Sequence, residues 1–267
     1  MRSADLLIGI MTCRANRARE RAVRTTWLAA PPPPGVAVLF VEGDGDAGAP
    51  PRLVGDRLIL PVPDAYELLP KKTHAFFRWA VANVSCNHIL KCDDDSYLHI
   101  DVAAELDLNG VDYAGRLTPP APGIVETWHF GKCKDRSFEV PFEGPFPDLF
   151  AEGFAYFVSR KAASRVADVD DTVIDQHVLE DVFVGWCLAR DGGPPLVRAD
   201  LGDRICARRA VWAPRPGTFA RHPLAPDEMI EAHRRFALTG PEQSARTSVV
   251  GHHVVEDRAC ARGNEAE

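Results

Sequence analysis

Apolar residues along this chain fall into short continuous runs separated by stretches of helical periodicity. That is the pattern of strands buried on both faces alternating with amphipathic helices. Leu6-Leu7-Ile8-Gly9-Ile10-Met11 predicts the first buried strand. After it, Asn16 is placed to cap a helix running to Leu28, with Val23 and Trp27 at i, i+4 on the inner face and Arg17, Arg21 and Arg24 on another. Pro31 to Pro34 ends that helix. Val36 to Val41 and Arg57 to Leu60 predict further strands, and Lys71 to Val84 predicts a helix burying Ala75, Phe76, Trp79, Ala80 and Ala82.

The next apolar run, Asn87 to Cys92, stops abruptly in Asp93-Asp94-Asp95. Alternation along an extended chain puts Asp93 and Asp95 on one side and Asp94 on the other. The crevice beyond the carboxyl ends of strands is where open α/β sheets bind ligands, and paired hard oxygens there suit Mg²⁺ or Mn²⁺ holding a phosphate. A solvated Asx turn is the plain alternative.

Beyond the triplet, Asp101 to Leu106 predicts a short helix capped by Asp101, and Tyr113 to Leu117 a strand. Pro119 to Pro147 is rich in Pro and Gly with scattered aromatics, among them Trp128, Phe130 and Phe138. A connection that long in a compact domain is functional or mobile. Gly153 to Ser159 predicts a buried strand, Arg160 to Val166 a helix, and Leu179 to Arg190 a helix with an acidic first turn, Glu180-Asp181, stopped by Gly192-Gly193. Arg198 to Trp212 is mixed, and Pro226 to His233 is a helix with Pro at its start. The alternation predicts an α/β fold around a mostly parallel sheet, as one domain over residues 1–240 followed by a polar, loosely held tail at 241–267.

Composition narrows the picture. At 267 residues and 46% hydrophobic content the chain can bury a large core, and a net charge of −7 argues against nucleic acid as a partner. No run approaches the roughly 20 apolar residues needed to cross a bilayer, and Met1 is followed by no apolar leader. Seven cysteines form no Cys-x-x-Cys pair. The phosphate-binding Gly-x-x-x-x-Gly-Lys loop, the dinucleotide glycine fingerprint and the Gly-x-Ser-x-Gly elbow are all absent, and Tyr97 and Leu98 break any calcium-loop pattern. A metal diphosphate site with a distant carboxylate is what remains.

At this point the chain resembles the beta-1,3-galactosyltransferase family, glycosyltransferase family 31. The likeness is carried by Val23-Arg24-Thr25-Thr26-Trp27, Asp64-Ala65-Tyr66-Glu67 with Lys72, Leu90 to Tyr97, Gly153 to Ser159, and Glu180-Asp181-Val182-Phe183-Val184-Gly185. A tail match is Arg221-His222-Pro223-Leu224 before Pro226-Asp227-Glu228-Met229. Glu20, Leu68 and Pro70 depart from the family pattern.

The resemblance implies a GT-A type fold and transfer of a hexose, galactose above all, from a UDP-sugar to a sugar hydroxyl with inversion. It implies Asp95 and His222 as metal ligands for Mn²⁺, with Mg²⁺ as the substitute. Asp93 and Asp94 would contact the ribose and sugar, Arg24 and Lys72 would be donor-site cations, and Asp181 the general base. The implied partners are a UDP-sugar donor and a glycan or glycoprotein acceptor, with residence in the Golgi lumen although no membrane segment stands in this chain. N-acetylglucosaminyl transfer, a non-catalytic carbohydrate-binding relative and a metal-dependent phosphohydrolase are the alternatives.

Overall fold

The computed structural model describes residues 2–46, 48–190, 195–206, 217–239 and 254–255. Strands β1 (Leu6–Met11), β2 (Val36–Gly43), β3 (Arg52–Val54), β4 (Arg57–Leu60), β5 (His88–Asp93), β6 (Tyr113–Thr118), β7 (Phe150–Ser159) and β8 (Arg198–Asp200) join Val254–Val255 in one sheet. Its spatial order is Val254–Val255, β8, β6, β7, β5, β1, β2, β4, β3. β1 runs parallel to β2 and β5, β2 to β4, and β6 to β8. β7 is antiparallel to both its neighbours. This is the expected α/β fold with a mostly parallel sheet.

Helices α1 (Arg17–Thr25), α2 (Leu69–Asn83), α3 (Arg160–Ala167), α4 (Glu180–Ala189) and α5 (Pro226–Thr239) cover the sheet. Strand alternation divides the core accordingly. Leu6, Ile8 and Ile10 of β1 pack with Ala22 and Val23 of α1 and with Trp27, whereas Leu7 and Met11 pack with Phe76, Phe77 and Ala80 of α2. Each of the Leu, Ile, Val, Met and Phe side chains among these, moved wholly from water to the interior, contributes about 1.5–3 kcal/mol.

Several local expectations are corrected. Asn16 makes no capping hydrogen bond to α1, because its amide donates instead to Asp94 Oδ2 at 2.9 Å. On α2 it is Phe77 that is buried and Ala82 that is exposed. β7 begins at Phe150, and the edge strand β3 was not anticipated. Asp101 lies in the first turn of its short helix, whose N-cap is His99. The Gly192-Gly193 stop and most of the polar tail lie outside the described residues, while Val254–Val255 pairs antiparallel with β8.

Register fixes where the chemistry gathers. Met11 of β1 stands opposite Asp93 of β5, and Ala155 of β7 opposite Cys92. The acidic triplet therefore emerges between Thr12-Cys13 on one side and Gly153-Phe154 on the other. α4 crosses β7 closely because Gly185 has no side chain: a Cβ there would lie 2.6 Å from Phe150 Cβ. That approach brings the first turn of α4, with Glu180 and Asp181, against Gly153.

Candidate active site

A cavity of about 850 Å³ opens beyond the ends of β1, β5 and β7, and its walls include Asp64, Lys72, Lys91, the Asp93 to Asp95 triplet, Asp181 and His222. The three aspartates part company as alternation predicts. Asp93, Asp95 and His222 each offer one ligand atom, all within 4.8 Å of one another. Asp94 turns the other way and is 2% exposed. Its Oδ2 accepts from Thr12 Oγ1 at 2.8 Å and from Asn16, and its Oδ1 accepts from Arg19 Nη1 at 3.0 Å. Burial lifts its carboxyl above the ordinary range despite those donors. Asp94 lines the cavity, and its oxygens also tie the Thr12 to Arg19 turn to the end of β5.

The Asp93, Asp95 and His222 set fits a divalent cation. Asp95 Oδ1 is buried without a hydrogen bond, 3.2 Å from His222 Nε2, so a carboxylate oxygen and an imidazole nitrogen converge as a hard-cation ligand set would. Burial works against the Asp95 carboxylate, but His222 and Arg19 outweigh it and hold the group below its usual range. His222 is oriented by stacking on Phe154, with ring centroids 4.6 Å apart and planes within 6°.

Lys91 is the buried hub. Its ammonium donates to Asp93 Oδ1 at 2.8 Å, to Glu180 Oε2 at 2.9 Å and to the carbonyl of Gly153, and the residue is 1% exposed. Tyr156 donates its hydroxyl to the other oxygen of Glu180. Burial works to lower the Lys91 pKa; Asp93 and Glu180 more than compensate and keep it charged. Gly153 makes room for this assembly, since a Cβ there would approach Glu180 Oε2 to 3.1 Å and Asp181 Cβ to 3.4 Å.

Glu180 is consumed by Lys91 and Tyr156, so the carboxylate left facing the cavity from α4 is Asp181. Its Oδ2 accepts from the Gly153 amide at 3.1 Å and its Oδ1 from Val182 at 2.9 Å. Burial, and then the neighbouring charge of Glu180, push its pKa up to about 6. A carboxylate held near neutral pH suits proton abstraction.

The expected cations divide. Lys72 lines the cavity, donating to Thr12 O at 2.7 Å and Asp64 Oδ1 at 2.8 Å. Arg24 does not line it. Its guanidinium lies over Phe40 and bonds Glu20 and both oxygens of Asp56, so its assignment as a donor-site cation is corrected by a competing ion network. Arg19 reaches the triplet instead, bridging Asp94 and Asp95 at 3.0 and 3.4 Å. Sequence reading missed it, as it missed Lys91. A lysine inside the apolar run Ile89-Leu90-Lys91-Cys92 was the available signal, because an ammonium there must find buried carboxylates.

A profile of the family described as Galactosyltransferase matches residues 18–193. The chain is 25% identical to a Mus musculus lactosylceramide 1,3-N-acetyl-beta-D-glucosaminyltransferase over 258 residues, covering 85% of this chain and 62% of that protein. It is 25% identical to hydroxyproline O-galactosyltransferase GALT6 of Arabidopsis thaliana, covering 90% of this chain and 36% of that protein. It is 36% identical to Mus musculus beta-1,3-galactosyltransferase 6 over 127 residues, 42% of this chain and 39% of that protein. The chain therefore spans less than two thirds of the length of each of these relatives. A solved glycosyltransferase involved in glycosylation of the major capsid of PBCV-1 is similar over 86% of this chain and 99% of that one, at 12% identity and a TM-score of 0.46.

Proposed function

The chain belongs to the galactosyltransferase family, whose GT-A type fold is the mostly parallel sheet described above, and on that footing we propose that it is an inverting UDP-sugar-dependent hexosyltransferase forming a beta-1,3 linkage. The observation that carries the reading is the convergence, in one cavity, of the Asp93, Asp95 and His222 set with Asp181.

In this mechanism Asp93, Asp95 and His222 would hold Mn²⁺ or Mg²⁺, which when bound would supply positive charge for the diphosphate leaving group. Lys72 and Arg19 line the donor side, where their positive charge favours the phosphates even though each is partly offset by an aspartate. Asp181 accepts the proton of the acceptor hydroxyl as its oxygen attacks the anomeric carbon from the face opposite UDP. Lys91 draws Glu180 away from that role and leaves Asp181 as the base.

The donor sugar is galactose in this proposal, with N-acetylglucosamine, the sugar transferred by the mouse lactosylceramide relative according to its name, as the alternative. The acceptor is a glycan or glycoprotein, and the proposed place of action is the Golgi lumen. Among the described residues no helix is long and apolar enough to cross a membrane. The test is UDP release from a panel of UDP-sugars with sugar acceptors, with and without Mn²⁺. Metal-dependent consumption of one UDP-hexose, lost in Asp181→Asn, is the expected result. Acceptor-independent phosphate release from simple esters would replace the proposal by hydrolysis.

A further inference from the structure

The segment between β6 and β7, without regular periodicity in sequence, is a built wall of the cavity. Glu67, 5% exposed, accepts the backbone amides of Lys134 and Asp135, each at 2.9 Å. His129 Nε2 donates between the carbonyls of Phe138 and Val140 at 2.9 and 3.0 Å, and the Phe142 amide returns to Glu126 O at 2.8 Å. Beneath it Val125, Cys133 and Phe142 pack with Phe150 and with Leu179 and Val182 at the start of α4. The wall is thus fastened to the same turn that presents Asp181.

Two side chains on this wall meet each other in a cation–π contact and still leave an aromatic face and an ammonium toward the cavity. Trp128 lines the cavity yet keeps 48% of its surface exposed. The Lys132 ammonium stands 5.3 Å from the Tyr66 ring centroid and 5.5 Å from that of Trp128. Among the described residues, the other cavity cations all reach carboxylates: Arg19 pairs with Asp94 and Asp95, Lys72 with Asp64, Lys91 with Asp93 and Glu180, and Arg116 with Glu152. Lys132 pairs with none. Burial lowers its pKa, partly opposed by Asp181 and Asp93; the neighbouring Cys133 packs against Leu179 and Val182, which flank Asp181.

An aromatic face beside a charged donor is a recognisable combination. The apolar C–H face of a pyranose packs on an indole, and an ammonium left without a carboxylate favours an anionic oxygen. Resting on the glycosyltransferase reading above, we propose that Trp128 and Lys132 form an acceptor subsite for an anionic saccharide, one whose sugar ring rests on Trp128 while its carboxylate or sulfate meets Lys132.

The experiment compares neutral methyl hexosides with the corresponding methyl hexuronides and sulfated hexosides. Equilibrium binding to the protein in UDP and Mn²⁺ is followed by saturation-transfer NMR, and kcat/KM for transfer is measured in parallel. The uronide or sulfate is expected to exceed its neutral counterpart by at least about tenfold, the scale of one charge-assisted hydrogen bond. That ratio collapses toward unity in Lys132→Met and returns in Lys132→Arg, whereas Trp128→Ala weakens charged and neutral ligands alike. Which of the two anions gains more identifies the source of the charge.

Equal binding of charged and neutral saccharides by the wild type overturns the subsite. So does a loss in Lys132→Met that is identical for both and follows the KM of the UDP-sugar, which would put Lys132 on the donor. Because binding is read without turnover, charge-selective binding with no consumption of any UDP-sugar would overturn the catalytic reading and leave the subsite standing.

Discussion

Lys91 and Glu180, 89 residues apart in sequence, form a buried ion pair at 2.9 Å that joins the end of β5 to the start of α4. The pair fixes the donor side of the cavity relative to Asp181, and it decides which of two adjacent acids is free.

Removing one partner leaves the other buried and uncompensated, at a cost of about 3–5 kcal/mol. Lys91→Met is therefore expected to lose most of that stability in urea unfolding, and Lys91→Met with Glu180→Gln to recover part of it. A Lys91→Met protein as stable as the wild type would show that the network carries no such strain.

Asp181 titrates near 6 because burial, and then Glu180, disfavour its charge. A general base acts when deprotonated, so kcat/KM should climb with pH up to about 6 and level off above it. Glu180→Gln removes the repulsion and should move that limb to lower pH; Lys91→Met removes the compensating ammonium and should move it up. Asp181→Asn should lower kcat by about 10²–10⁴ with the acid limb gone. The pH profiles of the four proteins check the signs directly.

For the metal, Asp95→Asn and His222→Ala should each weaken Mn²⁺ binding by at least about tenfold, since even groups that only orient ligands change affinity by that order. Calorimetric titration of Mn²⁺ in the presence of UDP measures it. An unchanged Mn²⁺ affinity in both variants would take the cation out of the Asp93, Asp95 and His222 set.

Arg19 and Arg24 should separate cleanly. Arg19→Ala is expected to raise the KM for the UDP-sugar, while Arg24→Ala affects stability alone, through Glu20 and Asp56. Glu20 itself would be pushed up by burial, but hydrogen bonds from Arg57, Arg17 and Arg24 bring it down to about 2. The stability it contributes is present above its unfolded value near 4.5 and is lost as pH falls through about 2. Acid unfolding of wild type against Glu20→Gln shows whether that window exists.

Much of this was legible in the chain. Continuous apolar runs located β1, β2 and β5, and the alternation of Asp93, Asp94 and Asp95 was readable from strand geometry alone. What periodicity could not show was where long side chains end. Arg17, Arg21 and Arg24 stood out as a basic face, yet the residue that turns to the triplet is Arg19, because Arg24 finds Glu20, Asp56 and the Phe40 ring, partners brought together by tertiary folding. The wall from Pro119 to Pro147 was opaque for a related reason. It is ordered by the Glu67 carboxylate and the His129 ring accepting and donating to backbone groups, which leaves no hydrophobic period to read.

The most direct test of the account is the product itself. Protein incubated with Mn²⁺, a ¹³C-labelled UDP-hexose and a saccharide acceptor is followed by NMR of the anomeric carbon. Release of UDP with a β-linked hexose on the acceptor from the α-linked donor, abolished in Asp181→Asn, is the expected result. An α-linked product, or a β-linked one formed at undiminished rate by Asp181→Asn, would contradict it.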